Sequence, residues 1–200
     1  REIVGLHVEA LHLLVKADLA DAVGQSLGAL RGHTVGLASQ GSVSAALVSA
    51  ALTFAGLAPD DGTNHGYVAR HLDLPELEAL VRRGDRAALP DAVADLATVP
   101  SKVAALLARS ADYRLVALPF ADAFRLNALI TDDAAQAPVE IERQFVCDTV
   151  IPPFTYQTEP AVPPEPLHTF GAPLILVAND AVPLAAVASL LHTIFDSEVA

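Results

Sequence analysis

The sequence predicts an α/β protein with a mainly parallel sheet, and three observations carry that expectation. Short apolar runs of strand length alternate with segments of helical period along most of the chain. His33 to Leu57 reads as a strand, a Gly-containing turn and a helix, which is half of a βαβ unit. Asp73 and Glu76 stand at capping-box spacing in front of a second amphipathic segment.

Taken in order, Glu2–Leu6 and Ala10–Val15 are apolar runs that read as buried strands, followed by a polar stretch up to Gly28–Gly32. His33–Ser39 is the next strand. After Gln40-Gly41-Ser42 a helix runs from Val43 to Leu57, with Val43, Leu47, Ala50, Ala51 and Phe54 on one stripe and Gly56 as its terminator. The helix after Asp73 has Pro75 in its first turn, where a missing N–H costs nothing, an apolar face of Leu77, Leu80 and Val81, and Gly84 at its end. Pro90–Ala97 is a strand, and Thr98-Val99-Pro100-Ser101 opens a third helix with Val103, Leu106 and Leu107 facing inward. Tyr113–Leu118 is another strand. Residues 131–168 carry Pro152, Pro153, Pro160, Pro163, Pro164 and Pro166, and no regular structure is expected for most of them. Pro173–Ala178 resumes as a buried strand, and Asp180 caps a last helix bearing Val182, Val187, Leu190, Leu191, Ile194 and Phe195.

Composition narrows the function classes. With 52% hydrophobic and 18% charged residues and a mean hydropathy of +0.42, the 200-residue chain is far from the disordered regime. No apolar run reaches the ~18 to 20 residues of a membrane helix. Twelve Lys and Arg face 24 Asp and Glu, a net charge of −12, which disfavours nucleic acid as a partner because phosphates need a basic stripe. The tight basic group Arg82, Arg83 and Arg86 falls at a helix end, where it complements the helix dipole. Cys147 is the single cysteine, so neither an intrachain disulfide nor a thiolate zinc site is expected. The chain contains no Met and begins at Arg1, which reads as a trimmed form.

The junction Ser39-Gln40-Gly41-Ser42 has chemical meaning. A helix N-terminus offers unpaired N–H groups and a partial positive charge, Gly41 admits a close approach to the backbone, and Ser39, Ser42 and Ser44 add hydroxyls. Such a junction at the carboxyl end of a parallel strand suits a carboxylate or phosphate; the alternative is plain N-capping by Ser42. Neither the P-loop nor the dinucleotide spacing of glycines is present, so no nucleotide cofactor is expected. The junction at Thr98–Ser101 repeats the geometry, with simple helix initiation by Pro100 as its alternative. The seven histidines show no paired metal spacing, so no metal is expected. Gln40–Ser44 does not fit the G-x-S-x-G nucleophile elbow, and nothing in the sequence demands an enzyme.

The ordered set of segments is similar to a known family. Gly5–Asp18, with Glu9 and His12 inside it, then Leu27–Leu37, then Ser39-Gln40-Gly41-Ser42 opening a helix that ends Phe54-Ala55-Gly56-Leu57, resembles the TAXI family of TRAP-transporter solute receptors. Asp91-Ala92-Val93 with Val99-Pro100-Ser101, Tyr113–Leu118 and Thr169–Phe195 resemble later segments of that family in the same order. The resemblance implies a periplasmic-binding-protein-like α/β fold: one complete lobe with a parallel-type sheet and part of a second lobe, joined by crossover strands. Residues 25–130 would form the second, ligand-binding lobe; residues 1–24 would be part of the first lobe and a crossover strand, and 131–200 would return to the first lobe. The family's Gly-rich first ligand segment has no counterpart here, and Gly41-Ser42-Val43-Ser44 stands where members have Gly-Ser-Gly-Thr.

By the same resemblance, the chain would be an extracytoplasmic receptor that closes on a small organic anion, an amino acid or dicarboxylate, and passes it to a membrane transporter subunit. Ser39, Gln40, Gly41, Ser42 and Ser44 would hold the ligand carboxylate, Thr98 would lie near the second helix start, and Glu9 and His12 occupy matching positions on the crossover strand. The alternatives are a cytosolic effector-sensing domain of a transcriptional regulator with the same fold and, well behind, acyl transfer through Ser42.

Overall fold

The structure, a computed structural model, describes residues 2–63, 65–110, 112–127 and 145–196. It is an α/β arrangement with a mixed central sheet. The elements in chain order are β1 (Glu2–Lys16), α1 (Ala17–Gln25), a 3-10 turn (Leu27–Leu30), β2 (Thr34–Leu37), α2 (Val43–Phe54), β3 (Val68–His71), α3 (Leu74–Arg83), β4 (Ala92–Ala97), α4 (Lys102–Ser110) and β5 (Tyr113–Val116). They continue with α5 (Ala121–Asn127), β6 (Cys147–Ile151), β7 (Gln157–Thr158), β8 (Ala161–Val162), β9 (Leu167–Val177) and α6 (Leu184–Asp196).

Seven strands form one sheet in the order β3-β2-β4-β1-β9-β6, with β5 also paired to β1. β2 lies parallel to both β3 and β4, so the expected parallel character holds at that end. β1 runs antiparallel to β4, with Leu13 opposite Ala94, and antiparallel to β5, while β6 and β9 are antiparallel as well. The chain divides into two compact units, Glu9–Ala172 and Arg1–Val8 with Pro173–Ala200.

In the larger unit both faces of the sheet are covered. Leu11, Leu13 and Val15 of β1 point to one side and pack with Val23 of α1, Leu47, Val48 and Leu52 of α2 and Phe124 of α5. Ala10 and Leu14 point to the other side, with Leu77 and Leu80 of α3 and Ala104 and Leu107 of α4. This period-2 alternation with both faces buried is why Ala10–Val15 of β1 is apolar at every position but His12. Phe54, Phe120, Phe124 and Phe170 meet edge-on or tilted, at ring-centroid distances of 5.0 to 6.0 Å.

The local signals act as their chemistry dictates. Asp73 accepts from the Glu76 N–H at 2.8 Å and Glu76 accepts from the Asp73 N–H at 3.0 Å, so α3 starts on a complete capping box. Gly84 ends α3 in the left-handed region at φ 64°. At the end of α2, Gly56 takes φ 81°, as the terminator reading requires.

Several expectations need correction. Glu2–Leu6 and Ala10–Val15 are one strand. The polar stretch after Asp18 holds α1, a helix whose preceding residue Lys16 provides no side-chain cap and which buries only Ala20 and Val23. Within 131–168, residues 145–168 include β6, the β7–β8 hairpin and the start of β9; their prolines sit between these strands, and 131–144 lie outside the described residues. Pro173–Ala178 is not buried throughout: Leu174 is 41% and Val177 68% exposed. The last helix does not start at Asp180 but at Leu184. Asn179 instead turns the chain, accepting the Ala181 N–H on its side chain and the Val182 N–H on its carbonyl, and α6 begins after Pro183, whose carbonyl accepts from Ala186 and Val187. Of the described α6 side chains only Val187 is buried.

Candidate functional site

β2 leaves the sheet at Leu37, and the next five residues build the turn that the sequence singles out. The Ser42 N–H donates to the Ser39 carbonyl at 3.1 Å, closing a turn with Gln40 and Gly41 at its tip. Gly41 has φ 80°, the left-handed conformation that this turn position demands and that a Cβ would strain. The Ser42 hydroxyl oxygen then accepts the Ala45 N–H at 3.1 Å and caps α2. Ser39, Gln40 and Gly41 are exposed, and Ser42 and Ser44 are half-buried.

β3 and β4, on either side of β2, end nearby. His71 at the end of β3 donates through Nδ1–H to the Ala38 carbonyl at 2.6 Å, and the Leu72 N–H donates to the Leu37 carbonyl at 3.0 Å, tying the two strand ends together. Beyond them a cleft of about 180 Å³ opens, lined by Ser39, Leu72, Asp73, Leu77, Asp95 and Val103 among others. It lies at the carboxyl ends of the parallel strands, where open α/β sheets bind ligands. No Lys or Arg lines it. One Asp73 oxygen is used in capping α3, and one Asp95 oxygen accepts the Ser101 hydroxyl at 2.6 Å.

Behind Asp95 runs a buried polar chain. The Ser101 hydroxyl oxygen also accepts the Ala104 N–H at 3.2 Å and so caps α4. The Ser101 N–H donates to the Tyr156 hydroxyl oxygen at 3.0 Å, and that hydroxyl lies 2.6 Å from His12 Nε2. His12 Nδ1 is 3.3 Å from the Asp95 carbonyl. A carbonyl only accepts, so Nδ1 carries the hydrogen, Nε2 is bare, and the Tyr156 O–H donates to it. Burial pushes the His12 imidazole below its ordinary range, against the partial opposition of the Asp95 charge. Burial also raises the Tyr156 phenol, which keeps its proton. Arg109 of α4 locks the Tyr156 carbonyl through Nε at 3.0 Å and Nη2 at 2.9 Å.

The sequence-selected residues therefore fall into two groups. Ser39 lines the cleft, and Gln40, Gly41, Ser42 and Ser44 form the adjoining turn and helix start. Thr98, exposed after β4, and Glu9, half-buried on β1, do not line it. His12 is fully buried in the polar chain beneath. Asp73, Asp95 and Tyr156 were not among the candidates. A carboxylate inside the otherwise apolar Ala92–Ala97 strand is the one signal that points to Asp95. Ser42 has no His or carboxylate on its hydroxyl among the described residues.

A second, larger cavity of about 420 Å³ lies at the opposite ends of the strands, lined by Lys16, Asp18, Arg86, Asp112 and Tyr113. Two of its charged groups are already paired, Lys16 with Asp91 at 2.9 Å and Arg86 with Asp112 at 3.7 Å. Among the described residues no group of three His, Cys, Asp or Glu is placed to hold a metal ion, and no helix is long and apolar enough to cross a membrane. No protein-family model matches the chain, and no curated protein matches it.

Proposed function

We propose that this chain is the ligand-binding part of a solute receptor, a TAXI-like component of a TRAP-type transport system or a sensor domain derived from one, and that it takes a small carboxylated solute in the cleft at the ends of β2, β3 and β4. The observation that carries the reading is that Ser39, Asp73 and Asp95 line one cleft, with the turn that opens α2 adjoining it at Ser39. A carboxylate suits the turn, because its N–H groups and the α2 dipole favour negative charge. The opposite wall carries the Asp73 and Asp95 carboxylates and no cation, so a solute with an ammonium group complements it, whereas a dicarboxylate would meet like charge. An amino acid fits both ends. The cleft volume equals roughly six water molecules' share of the liquid, the scale of a small solute.

A thermal-shift screen of the chain against L-glutamate, L-glutamine, 2-oxoglutarate and succinate tests this. A solute present at a hundredfold excess over its Kd adds about 2.7 kcal/mol, equivalent to about 5 to 10 °C in Tm for a chain of this length. The expected result is a dose-dependent rise with an amino acid, a smaller one with succinate, and neither in Ser39→Leu, which fills the cleft. A rise that survives Ser39→Leu would place binding elsewhere.

A further inference from the structure

We propose that His12, Tyr156, Ser101 and Asp95 form an acid-responsive latch beneath the cleft: with His12 neutral the chain holds Asp95 and the start of α4 in place, and protonation of His12 releases them. The arrangement of hydrogens supports only the neutral state. Asp95 C=O takes the Nδ1 hydrogen, Ser101 N–H points at the Tyr156 oxygen, and the Tyr156 hydrogen has His12 Nε2 as its acceptor. A proton added at Nε2 sets it against the Tyr156 O–H, donor against donor. His12 and Tyr156 are 0% and 1% exposed, so water does not relieve the conflict; the hydroxyl must rotate away and its bond to Ser101 N–H loosens with it. Ser101 is the hinge of the chain, because its own hydroxyl joins Asp95 Oδ2 to the first turn of α4.

The charged and titratable groups around His12 come from each neighbouring element. β4 supplies Asp95, whose charge favours the imidazolium; α4 supplies Arg109, held on the Tyr156 carbonyl; the segment before β7 supplies Tyr156; and Glu9 lies on β1 itself. On β9 the buried neighbour is Thr169, whose hydroxyl donates to the Leu11 carbonyl. Desolvation outweighs the pull of Asp95, so the neutral state holds at neutral pH and gives way in acid.

The latch stands on these contacts alone, while its effect on ligand binding rests on the cleft being the binding site. The experiment is an NMR pH titration of the full chain from about pH 8 to about pH 4, following the His12 ring and the Ser101 and Asp95 amides. The expected result is that all three titrate together, with a midpoint below the ordinary histidine value of about 6.5. In His12→Gln, whose amide oxygen still accepts from Tyr156 but does not titrate, the Ser101 response disappears. In Tyr156→Phe, which removes the donor that favours a bare Nε2, the His12 midpoint moves up. A Ser101 amide that stays still while His12 titrates, or that moves identically in His12→Gln, overturns the latch; if His12→Gln does not fold, an unmoved His12 midpoint in Tyr156→Phe overturns it instead. Affinity for L-glutamate that falls with the Ser101 transition supports the coupling. L-glutamate bound equally well on both sides of that transition overturns it. No binding of L-glutamate at any pH counts against the cleft as its site, and the joint titration then decides the latch by itself.

Discussion

Asp91 ties the start of β4 to two other elements, and replacing it tests whether that junction is held by charge. Its carboxylate accepts Lys16 Nζ at 2.9 Å, the Thr34 N–H at 2.9 Å and the Thr34 hydroxyl at 3.0 Å, with His33 Nδ1 at 3.3 Å. Burial pushes its pKa up, but the Thr34 amide, the Lys16 ammonium and the Thr34 hydroxyl together outweigh burial and hold it at about 2, against 3.8 for a free side chain. The folded state thus binds this proton more weakly than the unfolded chain. The stabilisation is fully present above about pH 4 and is lost as pH falls toward about 2. The full difference corresponds to about 2 kcal/mol, and because solvent reaches 27% of the side chain, screening brings it to about 1 to 2 kcal/mol. Urea unfolding of the chain and of Asp91→Asn, followed by far-UV circular dichroism at several pH values, reads this directly. The variant should be less stable at neutral pH by that amount or somewhat more, since its amide hydrogens face the Thr34 and Lys16 donors. The difference should shrink steadily below about pH 4. Equal stability at neutral pH, or a difference that acid leaves unchanged, refutes the reasoning.

Two further outcomes follow from the turn and the β2–β3 connection. Ser42→Ala removes the acceptor for the Ala45 N–H and should cost about 1 kcal/mol, measured as a lower urea midpoint with an unchanged slope. Gly66→Ala places a Cβ 2.1 Å from the Ala58 carbonyl oxygen and 2.7 Å from the Asp60 N, both backbone atoms, so the Pro59–Tyr67 bridge must open. A loss of about 3 kcal/mol or more is expected by thermal unfolding, and a variant as stable as the parent chain would contradict the close approach.

How much of this was legible in the sequence follows from how local each signal is. The β2–turn–α2 unit and the capped α3 are specified by residues within a few positions of each other, and both were readable, although α2 ends at Phe54 rather than Leu57 and leaves Val43 exposed. α1 was not, because Lys16 gives no cap and the apolar positions that helix buries are small. β3 was hidden because Val68, Ala69 and His71 are exposed, so the strand shows no alternation and is defined only by its pairing with β2. β6 stands among prolines that mask its period. The site divides the same way. Ser39 and its turn announce themselves locally, whereas Asp73 and Asp95 meet only because the strand order β3-β2-β4 sets their elements on either side of β2. His12 and Tyr156 lie 144 residues apart in the chain, and no sequence pattern joins them.

The central claim, that the cleft beside the Ser39–Ser42 turn takes a small carboxylated solute, is tested most directly by mapping binding residue by residue. In a ¹H–¹⁵N titration with L-glutamate, the account predicts saturable shifts confined to Ser39–Ser44, Asp73 and the Asp95 region, with Lys16, Arg86 and Asp112 unmoved. Saturable shifts centred on those last three residues, or none with L-glutamate, L-glutamine, 2-oxoglutarate or succinate, would contradict it.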